Sequence, residues 1–145
     1  AVIPQIITQI ANKKKIIKLG DISPTRDFNF VKDTCLAFIA VANSNNTIGE
    51  VINSSSNFEI SIGETARLIS ELMNFPVEIK SEANRMRPIN SEVNRLIGDN
   101  SKILKLTDWK PIYQGMDGFK KGLEISIKWF TDQNNLKLYQ TEYII

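Results

Sequence analysis

Thr25-Arg26-Asp27-Phe28-Asn29-Phe30-Val31-Lys32-Asp33-Thr34 changes character halfway along. Its first half continues the polar stretch Ser23-Pro24, which proline stiffens, and places an arginine there. Its second half opens residues 31–43, which read as a buried helix ending in the polar turn Asn43-Ser44-Asn45-Asn46. That helix is apolar around most of its circumference, so it asks for cover on several sides. Downstream, Glu50-Val51-Ile52-Asn53 reads as a strand running into Ser54-Ser55-Ser56. Ser61 followed by Glu64 is a capping box, and Ile62, Ala66, Ile69 and Met73 continue the apolar face of its helix. Val77-Glu78-Ile79 is a further short strand.

Residues 81–98 are polar and irregular apart from a turn around Glu92 to Leu96. Asp99 or Ser101 then caps a helix to Leu106, and residues 117–131 form an amphipathic helix with Phe119, Leu123, Ile127 and Phe130 on one face. Upstream, residues 3–11 carry Ile3, Ile6, Ile7 and Ile10 at helical spacing, and Lys15-Ile16-Ile17-Lys18-Leu19 is a strand stopped by Gly20. The whole is an α+β pattern of short strands and about five helices. The chain opens at Ala1 directly in an apolar helix, and with the cover that 31–43 demands this leads us to expect a further segment upstream.

Arginine is used sparingly. Of 18 basic residues, Arg26, Arg67, Arg85, Arg87 and Arg95 are the arginines, and only Arg67 falls on an ordinary helix face. The others sit in polar stretches stiffened by Pro24 and Pro88. A guanidinium grips phosphate or carboxylate bidentately, which a lysine ammonium cannot do. Two readings stand side by side: an anion site, or loop arginines pairing with Asp27 and Glu92 at the surface.

Composition narrows the classes. The net charge is +2 with both signs interspersed, so no basic stripe tracks nucleic acid. There is no histidine, which argues against a triad hydrolase or a metal site. The single cysteine, Cys35, suits a reducing cytoplasm and reads as a buried, inert thiol in an apolar run. No stretch is long and apolar enough for a membrane-spanning helix.

In order and spacing, the motif stretches resemble the C-terminal, substrate-binding part of an extended short-chain dehydrogenase/reductase of the NAD-dependent nucleotide-sugar epimerase/4,6-dehydratase family. They are residues 25–34, Gly49-Glu50-Val51-Ile52-Asn53, Ile60-Ser61-Ile62-Gly63-Glu64, Arg87-Pro88 with Ser91-Glu92-Val93-Asn94-Arg95-Leu96 and Asp99-Asn100-Ser101-Lys102, and Trp109-Lys110-Pro111. The resemblance implies a Rossmann-type α/β enzyme whose Rossmann core is absent here. Residues 1–133 would be the nucleotide-sugar-binding region and 134–145 a tail. Arg26 and Arg87 would reach the diphosphate, and Glu92 the ribose hydroxyls, although Glu92 could instead simply pair with Arg95. The form of the Ser91–Leu96 stretch is most similar to dehydratases of bacterial surface-glycan biosynthesis.

Other motif residues carry structural expectations. Asp33 caps its helix or ties down a backbone turn, Lys102 packs or pairs locally, and Trp109 anchors the core beneath the C-terminal helix. The family's usual glycine in the turn after Asn53 is replaced by serines, which requires φ to stay negative or the turn to relax. Its usual Leu-Gly before the tryptophan is replaced by Thr107-Asp108. Neither the Gly-rich dinucleotide fingerprint nor a Tyr-x-x-x-Lys pair is present. No catalytic, cofactor-binding or metal residue is therefore assigned. NAD is expected in the complete enzyme and not on this chain, which would be inactive alone. The partners expected are a nucleotide-diphosphate sugar, the Rossmann half and, through an exposed apolar face, a second copy. The alternative is a non-catalytic nucleotide-binding or structural module.

Overall fold

In the computed structural model the described residues are 1–82 and 93–138. Among them are six α-helices, one 3-10 turn (Asn45–Thr47) and five short strands: α1 (Val2–Ala11), β1 (Ile16–Leu19), β2 (Thr25–Asp27), α2 (Val31–Ala42), β3 (Glu59–Ser61), α3 (Ile62–Leu72), β4 (Glu78–Ser81), β5 (Arg95–Leu96), α4 (Ser101–Leu106), α5 (Gly115–Thr131) and α6 (Gln133–Leu136). The chain divides into two compact units, each made of separated segments. In their described parts, one comprises residues 1–24, 61–82, 93–94 and 123–138, and the other residues 25–60 and 95–122.

The first unit is built on aliphatic burial. Ile6, Ile7 and Ile10 of α1 and Ala66 and Ile69 of α3 are at most 1% exposed, as their helical spacing requires. β1 pairs in parallel with β4, with Ile17 opposite Ile79 and Leu19 opposite Ser81. Only Ile17 and Leu19 of β1 face inward, the alternation expected of a half-buried strand. Buried Gln9 secures the strand: its Oε1 accepts from the Lys18 amide at 3.0 Å and its Nε2 donates to the Lys18 carbonyl at 3.4 Å. The capping box of α3 forms as expected. Ser61 Oγ accepts from the Glu64 amide at 3.1 Å, and Glu64 accepts in return from the Ser61 amide at 3.2 Å. The Ser61 hydroxyl, donating to the Glu64 carboxylate at 2.6 Å, and then the Ser61 amide hold the Glu64 carboxyl below the usual glutamate range. Its contribution to stability is present above that range and is lost as pH falls through the lowered pKa.

The second unit is organised by side-chain carboxylates from residues 25–34. Asp33, buried in the first turn of α2, accepts from the Ile112 amide at 3.0 Å and the Tyr113 amide at 2.8 Å. Its backbone carbonyl accepts from Trp109 Nε1 at 2.9 Å. Of the two expected roles for Asp33, it ties down a backbone turn and does not cap its own helix. Trp109 is buried, but its cluster joins Ala37 of α2 to Ile103 of α4, with Leu36, Ala40, Val41 and Ile52 around it; the C-terminal helix is not part of it. Phe28 stacks on Phe119 at 5.7 Å and Phe30 meets Tyr113 at 4.3 Å, seating the start of α5. Gly122 admits the Phe30 ring, for a Cβ there would lie 3.2 Å from it.

Several expectations are corrected here. Residues 50–53 form no strand: Val51 is 86% exposed, and no strand among the described residues runs beside them. Side chains hold this segment instead, through Lys102 to Glu50 at 2.5 Å and through Asn29 to the Ser54 carbonyl. Helix α2 is not buried all round, because Val31, Phe38 and Ile39 point outward. Cys35 lies on that outward face and is exposed, not buried. At α4 the cap position is Asn100, whose side chain makes no cap bond; Asp99 Oδ1 instead accepts from the Ser101 amide at 2.8 Å.

Replacing Asp33 with alanine leaves two amides and their loop without acceptors, each worth about 1–3 kcal/mol. Ser61→Ala removes one cap, worth about 1 kcal/mol. Urea denaturation should therefore show Asp33→Ala as clearly the more destabilising; equal losses would contradict the organising role of Asp33.

Candidate functional site

The sequence placed Arg26 in a loop, but it lies on a strand. β2 is the centre of a three-stranded sheet ordered β3-β2-β5. Three residues, two of them charged, give no alternation from which such a strand could be read. Thr25 pairs with Arg95 and Arg26 with Leu96, in parallel. Arg26 is half-buried, and its Nη1 donates to the Thr25 carbonyl at 2.7 Å. Its backbone is thus held on both sides, and its guanidinium is drawn in close to its own strand.

The neighbouring Asp27 gathers the loops around β2. Its Oδ1 accepts from the Ser56 amide at 3.0 Å and the Ser56 hydroxyl at 2.6 Å. Its Oδ2 accepts from the amides of Asn57 at 3.0 Å and Gly98 at 3.2 Å. Asn100 Nδ2 adds a buried bond to the Ser55 carbonyl at 2.8 Å. This web explains how serines stand where the family has glycine. None of Ser54, Ser55 or Ser56 has a positive φ; the left-handed position falls one residue on, at Asn57, with φ 54°. Asparagine tolerates that conformation better than most residues. The substitution has a cost, since Ser55 Oγ is buried with no hydrogen-bond partner among the described residues.

Sequence reasoning missed one pair. The guanidinium of Arg95, named above only as an alternative partner for Glu92, forks onto Glu59 of β3. Nε lies 2.9 Å from both carboxylate oxygens and Nη2 lies 2.6 Å from Oε1. Thr25 Oγ1 also donates to Glu59 at 2.7 Å. The bonds from Arg95, then that from Thr25, hold the Glu59 carboxyl below its ordinary range, and Glu59 raises the Arg95 pKa in return. The partners are 36 residues apart in sequence, a separation at which no local pattern signals pairing.

Arg87 and Glu92 lie outside the described residues, as does Arg85. The structure thus places one of the three candidate site residues, Arg26, and does not test its meeting with the other two. Arg67 is on the exposed side of α3, and Lys102 pairs locally with Glu50 as expected. A cleft of about 650 Å³, lined by Asn43, Asn45, Asn46, Lys105 and Asp108 among others, lies at the C-terminal ends of α2 and α4 and does not include Arg26.

Two strand-to-helix junctions could be compared with a dinucleotide site, and neither fits one. β3 runs straight into α3, whose first turn holds its own capping carboxylate, Glu64. β2 reaches α2 through Phe28-Asn29-Phe30, without glycine and with Asp33 in the first turn. A pyrophosphate needs close backbone approach and free amides at a helix N-terminus. Among the described residues, no group of three or more His, Cys, Asp or Glu side chains could hold a metal, and no helix is long and apolar enough to cross a membrane.

Comparison with known proteins agrees with this arrangement. A solved epimerase from Methanothermobacter thermautotrophicus superposes with a TM-score of 0.79 at 32% identity, covering 95% of this chain and 38% of that one. A UDP-N-acetylglucosamine 4-epimerase from Methanobrevibacter ruminantium, solved with UDP-N-acetylmuramic acid, gives 0.73 at 30%, covering 92% and 40%. A dTDP-glucose 4,6-dehydratase from Bacillus anthracis, solved with NAD, gives 0.72 at 25%, covering 92% and 40%. The chain therefore spans about two fifths of these relatives' length. These neighbours are epimerases and dehydratases of the extended short-chain dehydrogenase/reductase type. The family description GDP-mannose 4,6 dehydratase matches residues 1–122, and the chain belongs to that family of nucleotide-sugar enzymes.

Proposed function

We propose that residues 1–133 are the nucleotide-sugar-binding region of an NAD-dependent sugar-nucleotide 4,6-dehydratase or epimerase, a cytoplasmic enzyme of bacterial surface-glycan biosynthesis. Arg26 and Arg87 supply two guanidinium forks for the diphosphate, and Glu92 accepts from the ribose hydroxyls. One observation carries this reading: Arg26 is held on the central strand of a sheet whose outer strand, β5, begins at Arg95, just downstream of Glu92. Charge-assisted bonds of this kind contribute about 1.5–3 kcal/mol each.

In this reading NAD and the tyrosine–lysine pair belong to the remainder of the complete enzyme, so this chain alone should convert no sugar nucleotide, with or without added NAD. Turnover detected by a coupled assay would overturn that division of roles. In the complete enzyme, Arg87→Lys keeps the charge but loses the fork, and should weaken substrate affinity by about 1–2 kcal/mol. Arg67→Lys, on the exposed face of α3, should leave affinity alone. Equal, small effects at both positions would make Arg87 an ordinary surface arginine.

The same reading gives α2 a partner. Val31, Cys35, Phe38, Ile39 and Ala42 are exposed at helical spacing, with Phe38 at 72%, and Val51 is also exposed. Fully burying one large apolar side chain contributes roughly 1.5–3 kcal/mol. We assign this face to the Rossmann half of the enzyme; in its absence two copies should meet through it. Sedimentation velocity should show concentration-dependent association that Phe38→Glu abolishes. A strict monomer at high concentration that unfolds sharply above about 60 °C would contradict this assignment.

A further inference from the structure

A second cavity, of about 340 Å³, lies within the first unit, at the C-terminal ends of α1 and α3 and beside α6. That volume is at the small end of ligand pockets. Its walls are largely apolar, with Ile10 of α1, Met73 and Phe75 after α3, and Leu136 of α6. Three polar side chains share the lining without an internal bond. Among the described residues, Asn74 and Gln133 make no side-chain hydrogen bond and Lys13 has no carboxylate partner. The Lys13 ammonium sits instead over the Phe75 ring, 5.5 Å from its centroid.

The backbone holds that lysine in place at a cost. Lys13 (φ 59°) and Asn74 (φ 48°) directly follow the C-caps of α1 and α3, and both are left-handed. Glycine is the usual residue there and asparagine its common substitute. Lysine has the advantage of neither. The Lys13 amide donates to the Ile10 carbonyl at 2.8 Å, so the helix end keeps this conformation whatever the side chain. A strained cation on the wall of an apolar cavity is an outlier that points to a ligand. We propose that the cavity binds a small apolar monocarboxylate, aromatic or branched. Lys13 pairs with the carboxylate, Asn74 and Gln133 donate to it, and the apolar body lies against Phe75, Met73 and Leu136. The charge follows from the lining: no Asp or Glu among the described residues stands there to receive a cation. No residue of the nucleotide-sugar reading takes part.

Benzoate is the probe, titrated into the full chain and followed by methyl NMR, with benzyl alcohol and benzylamine as its neutral and cationic counterparts. Benzoate should shift the methyl signals of Ile10, Met73 and Leu136 saturably. It should bind about tenfold more tightly than benzyl alcohol, and benzylamine should bind more weakly still. Lys13→Gln should bring benzoate down to the level of benzyl alcohol. Lys15→Gln removes a charge two residues away that does not line the cavity, and should change the Kd less than about twofold. Lys13→Gly, which suits the left-handed position, should raise the melting temperature while losing the preference for benzoate. Equal affinity for benzoate and benzyl alcohol, an unchanged Kd in Lys13→Gln, or no saturable shift at those methyls would overturn the site. A Lys13→Gly chain that is less stable and binds benzoate as before would make Lys13 a residue of the helix end alone.

Discussion

The carboxylate of Asp27 is the constraint on which the candidate site depends. Its two oxygens take four hydrogen bonds from three residues, Ser56, Asn57 and Gly98, which lie 29 to 71 positions further along the chain. Each donor would be costly to leave unpaired where water is scarce. Together they draw the serine turn and the segment after β5 onto β2, and β2 carries Arg26. Asp33 repeats the device six residues on, gathering the amides of Ile112 and Tyr113 while its carbonyl receives Trp109. One ten-residue stretch thus supplies both anchors of its unit.

This economy explains why a unit with so little ladder holds together. Its strands are two or three residues long, too short to be self-sufficient. Half-buried Phe28 and Phe30 and buried Ala37, Ile103 and Trp109 supply apolar contact, and the carboxylates convert it into a defined arrangement. The other unit leans on isoleucine-rich burial in α1 and α3, into which it admits the hydrogen-bonded polar side chains of Thr8, Gln9 and Thr65.

The outward face of α2 is apolar and exposed. Burial of the inner face through Ala37 against Trp109 and Ile103 leaves Val31, Phe38 and Ile39 in water. Exposed apolar stripes of this kind are a common mark of interaction surfaces. In the proposed reading the same helix that organises the substrate side is the seam to the dinucleotide-binding half.

The helices were legible in the sequence because their signals are local. Apolar spacing marked α1, α3 and α5, and Ser61 with Glu64 marked a start that the structure reproduces bond for bond. Arg26 was legible as a site candidate because arginine is scarce and its stretch matches a family motif. What the sequence could not convey was which strand carries it. Three polar residues have no periodicity, and β2 exists only because β3 and β5 arrive on either side of it. The same holds for the Glu59–Arg95 fork and the Asp27 web, whose partners are distant along the chain. Cys35 and residues 50–53 were misjudged for the converse reason: an apolar run tells of a need for cover, and only the tertiary packing decides which side receives it. Composition and local pattern determined the α+β class and the elements that stand on their own periodicity. Tertiary structure alone decided the short strands and the polar anchors, because their stabilisation comes from groups that become neighbours only after the chain has folded.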